Sequence, residues 1–470
     1  MSIPTHLTHA HLLSRCRTAV GATSLLLALS LGLSAADRNW DHNGTDFNTP
    51  GNWDPDQVPG SGDRAIFGVP PETAPVMNPN LSSSTTLTGI SFLGTGYTLS
   101  SSSSAIAITP TSTTTGGSSN WPNVGIYVGS NVSTTITAPI TYTGTGQISV
   151  AAGGTLVLAG PITQSGTVRL RNAATGTTRL SGANTDLTGA VNLDGGIFEI
   201  GHNQAFGEAT INTFVTNNTV VAYGGNRNIS NTFGAVERMV TLTGANSLEL
   251  SGSVSIRFSG QVSGFNNDSA GTLTLSGNVF ASNNESQMTM TLGGTGAIAI
   301  SGAIADRDGA STTRNNVNLN GTGGQVVTFS GNNVYTGNTA IGTGVNFTLA
   351  DTGSLLFKLE DGLTNTVGGS GVAHFDGALV FDIAGVTDFD QSWNLINVGT
   401  LTESFNLADV RFKDGASFSQ SGEQWTSGFW TFDETTGTLT AIPEPSMWAA
   451  LLGVIALGLV ILRRRKNAAA

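Results

Sequence analysis

Cysteine is almost missing from this chain: there is one in 470 residues, Cys16, and it lies just upstream of an apolar stretch near the N-terminus. If that stretch is a cleaved leader, no thiol remains, which excludes disulfides, thiolate metal sites and cysteine nucleophiles. Lysine is nearly as scarce, and charged residues make up only 11% of the chain. No Gly-x-Ser-x-Gly elbow occurs and no lysine follows a glycine-rich loop, so serine-hydrolase and P-loop chemistry lack their motifs. Beyond the leader there are three histidines, His42, His202 and His374, far apart in sequence. No apolar pattern of helical period appears between Asp37 and Leu439.

What is present begins with the two ends. Arg15 and Arg17 precede an apolar stretch from Val20 to Leu33, followed by Ser34, Ala35 and Ala36. Short length and small residues at its end predict a secretory signal peptide cut after Ala36, with the Sec translocon as its partner. At the other end, Pro443-Glu444-Pro445 is followed by an apolar run from Met447 to Leu462 and then Arg463, Arg464, Arg465 and Lys466. As a helix those 16 residues cover roughly 24 Å of a hydrocarbon core about 30 Å thick. The run is expected to span if the flanking cations snorkel and the bilayer thins, with the cations holding that end in the cytoplasm. Between the ends, residues 37–442 keep 13 Lys and Arg against 30 Asp and Glu, a net charge near −17 where the whole chain has −12. So acidic a body repels nucleic acid and anionic lipid, and neither is expected as its partner.

The body has an all-β composition, with many of the 62 glycines in Ser/Thr/Asn-rich stretches. A short alternating strand ending on glycine recurs: Leu156–Gly160, Arg179–Gly182, Phe198–Gly201, Val221–Gly224, Leu248–Gly252, Leu273–Gly277, Ile298–Gly302 and Val327–Gly331. Alternation turns one set of side chains inward, and glycine permits a tight corner. Successive glycines lie 19 to 29 residues apart. A propeller blade needs about 40 residues and a sandwich shows no fixed period, so the spacing predicts a parallel β-helix with one unit per coil. Asn184, Asn278 and Asn332 follow their glycines by one or two positions and are expected at stacked corners.

Two resemblances follow from these residues. Pro443-Glu444-Pro445 ahead of a short apolar span and an arginine cluster resembles the bacterial PEP-CTERM sorting signal. That likeness implies an exosortase-type membrane enzyme as partner, delivery toward the cell surface or extracellular matrix, and association with extracellular polysaccharide. The segments Leu180–Thr185 with Gly189 and Gly195-Gly196, and Phe329–Gly337, resemble autotransporter-associated β-strand repeats, which implies a β-helical stalk. The first copy has Asp186-Leu187 where the family prefers Tyr-Thr. No outer-membrane barrel fits after Leu439, so the chain is not expected to export itself.

The expected organisation is a right-handed parallel β-helix with a signal helix before it and a single transmembrane helix after it. Residues 1–36 are the leader, 37–120 an N-terminal β cap with a Ser/Thr-rich segment, 121–372 the solenoid, 373–440 a C-terminal β cap, and 441–470 the sorting and anchor segment. Trp40, Trp53, Trp393, Trp425 and Trp430 sit in the caps, where covering the end coils is the simpler use of them and a sugar-binding platform the sharper one. Acidic pairs at Asp54/Asp56, Asp306/Asp308 and Asp388/Asp390 could cleave glycosides or bind Ca²⁺, but aspartates in turns commonly bond their own backbone. Gly293–Gly296 lacks the aspartate of calcium β-roll repeats. The reading is a non-catalytic surface or matrix protein with no cofactor and no metal. The alternative is a secreted β-helical polysaccharide lyase or hydrolase, which a cluster of Asp, His, Arg and Lys on one face would favour.

Overall fold

The computed structural model describes residues 36–71, 73, 75–111, 124–257, 261–281, 287–306, 314–405, 409–442 and 445–468. The leader therefore lies outside the described residues except for Ala36, whose carbonyl accepts the Arg64 N–H at 2.9 Å. Pro443 and Glu444 also lie outside them.

Strands from successive coils pair in parallel on three faces. The first face runs from Asp37–Trp40 and Arg64–Phe67 through Ile304–Ala305. It continues as Asn332–Asn333, Ser354–Glu360, Ala378–Gly385 and Val410–Phe412. The second face is a 13-stranded sheet from Thr98–Leu99 to Ile396–Asn397. The third has four strands between Thr85 and Thr163 and eight between Arg227 and Glu403. Together they make a parallel β-solenoid of about 14 turns, and the turns between Thr163 and Arg227 have strands on the first two faces only. At about 4.8 Å per turn the stack is roughly 65 Å long.

Alternation builds its core. On the second face Leu156 pairs with Thr178, Thr178 with Phe198 and Phe198 with Val220, and all four point inward. On the third face Leu248, Leu273, Ile298 and Val327 form the equivalent row. Burying each large apolar side chain contributes about 1.5–3 kcal/mol before ordering costs. At the corners buried asparagines replace missing ladder bonds. Asn184 accepts from the Ile162 N–H (2.8 Å) and donates to the Ala205 carbonyl (2.6 Å), joining three coils. Asn333 does the same with the Ile304 N–H and the Ser354 carbonyl. Asn184 and Asn278 lie at corners as expected, Asn278 exposed between Leu273–Leu275 and Val279–Ala281, whereas Asn332 is exposed in the strand Asn332–Asn333 and the buried role there falls to Asn333.

The eight strand–glycine units are all rungs, but they belong to two faces. Units ending at Gly160, Gly182, Gly201 and Gly224 follow second-face strands, while those ending at Gly252, Gly277, Gly302 and Gly331 follow third-face strands. The latter four stack directly. A Cβ on Gly277 would lie 2.1 Å from the Gly252 carbonyl oxygen, and one on Gly302 only 2.0 Å from that of Gly277.

Aromatics close both ends. Trp53 meets Trp40 and Phe47 edge-on at 5.1 and 4.8 Å, and its indole N–H donates to the Phe47 carbonyl. After the last coil, a five-stranded antiparallel sheet buries Trp393, Trp425 and Trp430. All five of these indoles are at most 4% exposed, so they cover coil ends and offer no sugar platform. The one α-helix among the described residues is Pro445–Ala468. It carries the apolar run and continues through Arg463–Lys466, so its last turns are basic. No helix among the described residues is long and apolar enough to cross a membrane, and the expected transmembrane helix is not seen as such.

Candidate functional site

The chemistry-bearing side chains that the stack brings together lie on the late part of the first face. There, Ser354–Glu360 and Ala378–Gly385 are seven and eight residues long, against three to six in most other coils. Their inward positions, Leu355, Phe357, Leu379 and Phe381, are buried core. Their outward positions form two rows along the stack. Leu356 lies in register with Val380 and Val380 with Arg411. Lys358 lies in register with Asp382, and Lys413, just past the end of the next strand Val410–Phe412, donates its N–H to the Phe381 carbonyl. A hairpin through Leu363–Thr364 folds back on Leu359 and Glu360 and raises one wall. The result is a groove of about 830 Å³, which also takes in Asp306, Arg314 and Val334. That volume is within the range of ligand sites.

Each of the three described carboxylates in the groove has partners. Asp382 meets the Lys413 ammonium at 2.8 Å, and Glu360 meets Arg314 at 2.8 Å and Lys358 at 3.2 Å. Asp306 accepts from the Asn315 amide (2.8 Å) and from the N–H (2.9 Å) and hydroxyl (2.7 Å) of Thr336 in the next coil. Hydrogen bonding from Lys358 leads in holding the Glu360 carboxyl below its usual range. For Asp382, burial pushes upward, but Lys413 and the Ala384 N–H outweigh it and the carboxyl is also lowered. Both stay ionised at neutral pH, the wrong state for a general acid. The carboxylates that burial raises lie elsewhere. One is Asp194, beside Arg169 and Arg171 in a smaller groove of about 500 Å³, and another is Glu403, near Glu434 and Glu423.

The residues singled out in the sequence do not converge. Asp308 lies outside the described residues, and Asp306 is at the groove. Asp388 bonds the Asp390 N–H as a turn aspartate does, and Asp54 and Asp56 are exposed near the N-terminus. His42 bonds the Val76 carbonyl and Tyr97, His202 its own turn, and His374 pairs with Asp376; none lines the groove. Among the described residues no group of three or more His, Cys, Asp or Glu is arranged to hold a metal ion. Sequence reasoning missed Arg314, Lys358, Glu360, Asp382, Arg411 and Lys413. One signal was there to find: Lys358 and Lys413 are the two lysines between residues 37 and 442, and they meet at one site.

No protein family, no curated protein and no solved structure matches the chain.

Proposed function

We propose that this chain is a non-catalytic exported bacterial surface or matrix protein, sorted through its PEP-CTERM-like tail, whose solenoid body associates with extracellular polysaccharide. The observation that carries the reading is the order of parts: an N-terminal apolar stretch ending in Ser34-Ala35-Ala36, a β-solenoid without cysteine, then Pro443-Glu444-Pro445, an apolar run and Arg463, Arg464, Arg465 and Lys466. The helix that begins at Pro445, the last residue of the motif, supports it. Leu452, Val454, Leu457, Leu459 and Leu462 are each more than half exposed around its circumference, and an all-round apolar helix needs lipid or protein cover. We assign that cover to the inner membrane, with snorkelling cations and a thinned bilayer accommodating the short run until an exosortase acts.

Proline fixes the backbone on either side of Glu444 and disfavours helix there, which presents one carboxylate to a membrane-embedded enzyme. The test is fractionation of wild type and Glu444→Ala with an antibody to the body. The variant should accumulate as an uncut precursor in the inner membrane, while wild type reaches the surface at lower mass. Identical mass and fraction for both would leave a plain anchor.

The charged groove favours a second reading, a secreted carbohydrate-active enzyme, because clustering on one face is what that class requires. Among the described residues it lacks a proton donor: no histidine lines the groove, and Glu360 and Asp382 are held ionised. Release of reducing ends from a polysaccharide, abolished in Asp306→Asn, would overturn the non-catalytic reading.

A further inference from the structure

We propose that the groove beside the Leu363–Thr364 hairpin is the body's polysaccharide contact, and that it selects a chain bearing carboxylates on its sugars, held by Lys358, Lys413 and Arg411. This rests on the reading above that the body sits among extracellular polysaccharide, and adds the site and the charge of the ligand.

The body carries 13 cations against 30 acids, yet among the described residues the groove gathers four cations, Arg314, Lys358, Arg411 and Lys413, against three carboxylates. It is a locally positive strip on an acidic protein. Along the stack one row reads Lys358, Asp382, Lys413, a cation on either side of a carboxylate. The two lysines are two rungs apart, roughly 10 Å. Asp382 positions Lys413, and Glu360 positions Lys358, without using all the donors of either ammonium. An ammonium has three donors, and Lys413 meets one carboxylate while its side chain stays 61% exposed.

Beside this charged row runs an apolar one, Val334, Leu356 and Val380, ending at Arg411. A pyranose ring carries both kinds of surface, an apolar C–H face and an edge of hydroxyls and carboxylate, so the two rows match a sugar chain laid along the stack. Nucleic acid fits poorly: among the described residues no aromatic lines the groove for a base to stack on, and duplex DNA brings a charge every 1.7 Å or so to a body near −17. A polyuronate brings one per sugar at most, and at physiological salt screening over about 8 Å separates the groove from the distant acids.

The experiment uses full-length protein immobilised in detergent, with polygalacturonate, its fully methyl-esterified form, and polysaccharide extracted from the cell envelope as separate analytes. Polygalacturonate should bind, the ester should not, and added salt should weaken binding. Lys358→Ala with Lys413→Ala should weaken it on the order of tenfold, while Lys358→Arg with Lys413→Arg retains it. Thermal melts check that the variants fold, and Lys413→Gln alone replaces the alanine pair if that pair does not. Equal binding of the ester overturns the charge selection, and unchanged binding by the folded alanine pair overturns the site. Binding of envelope polysaccharide without polygalacturonate sinks this proposal and spares the functional reading. Binding of none sinks both.

Discussion

A methyl group added at Gly302 would sit 2.0 Å from the Gly277 carbonyl oxygen, and that oxygen is backbone held by the coil beneath. No rotamer change can relieve the clash, so two coils must separate locally. Gly302→Ala should therefore lower stability by about 1–3 kcal/mol, the usual cost of overpacking. Gly51 has nothing within 4 Å of its would-be Cβ, and Gly51→Ala should leave the denaturation midpoint unchanged or slightly raised. Urea titrations of both variants against wild type decide this; equal midpoints for all three would mean the glycine ladder is not a packing constraint. The corner asparagines are the complementary device. Asn333 is fully buried, and its side-chain amide ties coils together by accepting from the Ile304 N–H and donating to the Ser354 carbonyl.

At the scale of the element, strands were easier to read in the sequence than their neighbours. Leu248–Gly252 and Leu156–Gly160 look alike as strings, and both are rungs of alternating residues closed by glycine. One lies on the third face and the other on the second, because all three faces use the same inward alternation and the same corner chemistry. Periodicity alone carries no mark of which face a strand occupies. The groove was less legible still. Asp306 and Lys413 are over a hundred residues apart, and only the stacking register brings their coils together. Asp306 is such a case, since its oxygens accept from Asn315 nearby in sequence and from Thr336 one coil on. That register has a consequence for pH. Asp382 and Glu360 have folded-state carboxyls below their ordinary values, so their contribution is present above the unfolded carboxylate pKa and is lost as pH falls through the folded one. Asp382→Asn should lower the melting temperature near neutral pH, and the gap to wild type should narrow as the solution is acidified through the carboxylate range. A gap that stays constant down to strong acid would mean the Lys413 pair adds no net stability.

The whole molecule is a stack in which each coil touches mainly its neighbours, so stability should follow nearest-neighbour terms rather than one global core. The coil starting at Leu273 tests this closely. Leu248 pairs with Leu273 and Leu273 with Ile298, so removing residues 273–297 sets Ile298 directly on Leu248. The deletion takes one strand from each face: Leu273–Leu275, Val279–Ala281 and Thr289–Gly294. Val254 then meets Ile304 and Phe265 meets Leu319, both apolar on apolar, and Gly302 stacks on Gly252. Every inward row stays inward. Removing only residues 273–284, about half a coil, leaves the strand Thr289–Gly294 to follow a third-face corner directly, and its short remaining connection cannot carry it back to the second face. Circular dichroism and urea unfolding should show the full-coil deletion folded with a wild-type β spectrum and a slightly lower midpoint, while the half-coil deletion aggregates or loses cooperative unfolding. If the two deletions behave alike, coils are not the unit of assembly, and the caps at either end must hold the stack together as a single cooperative whole.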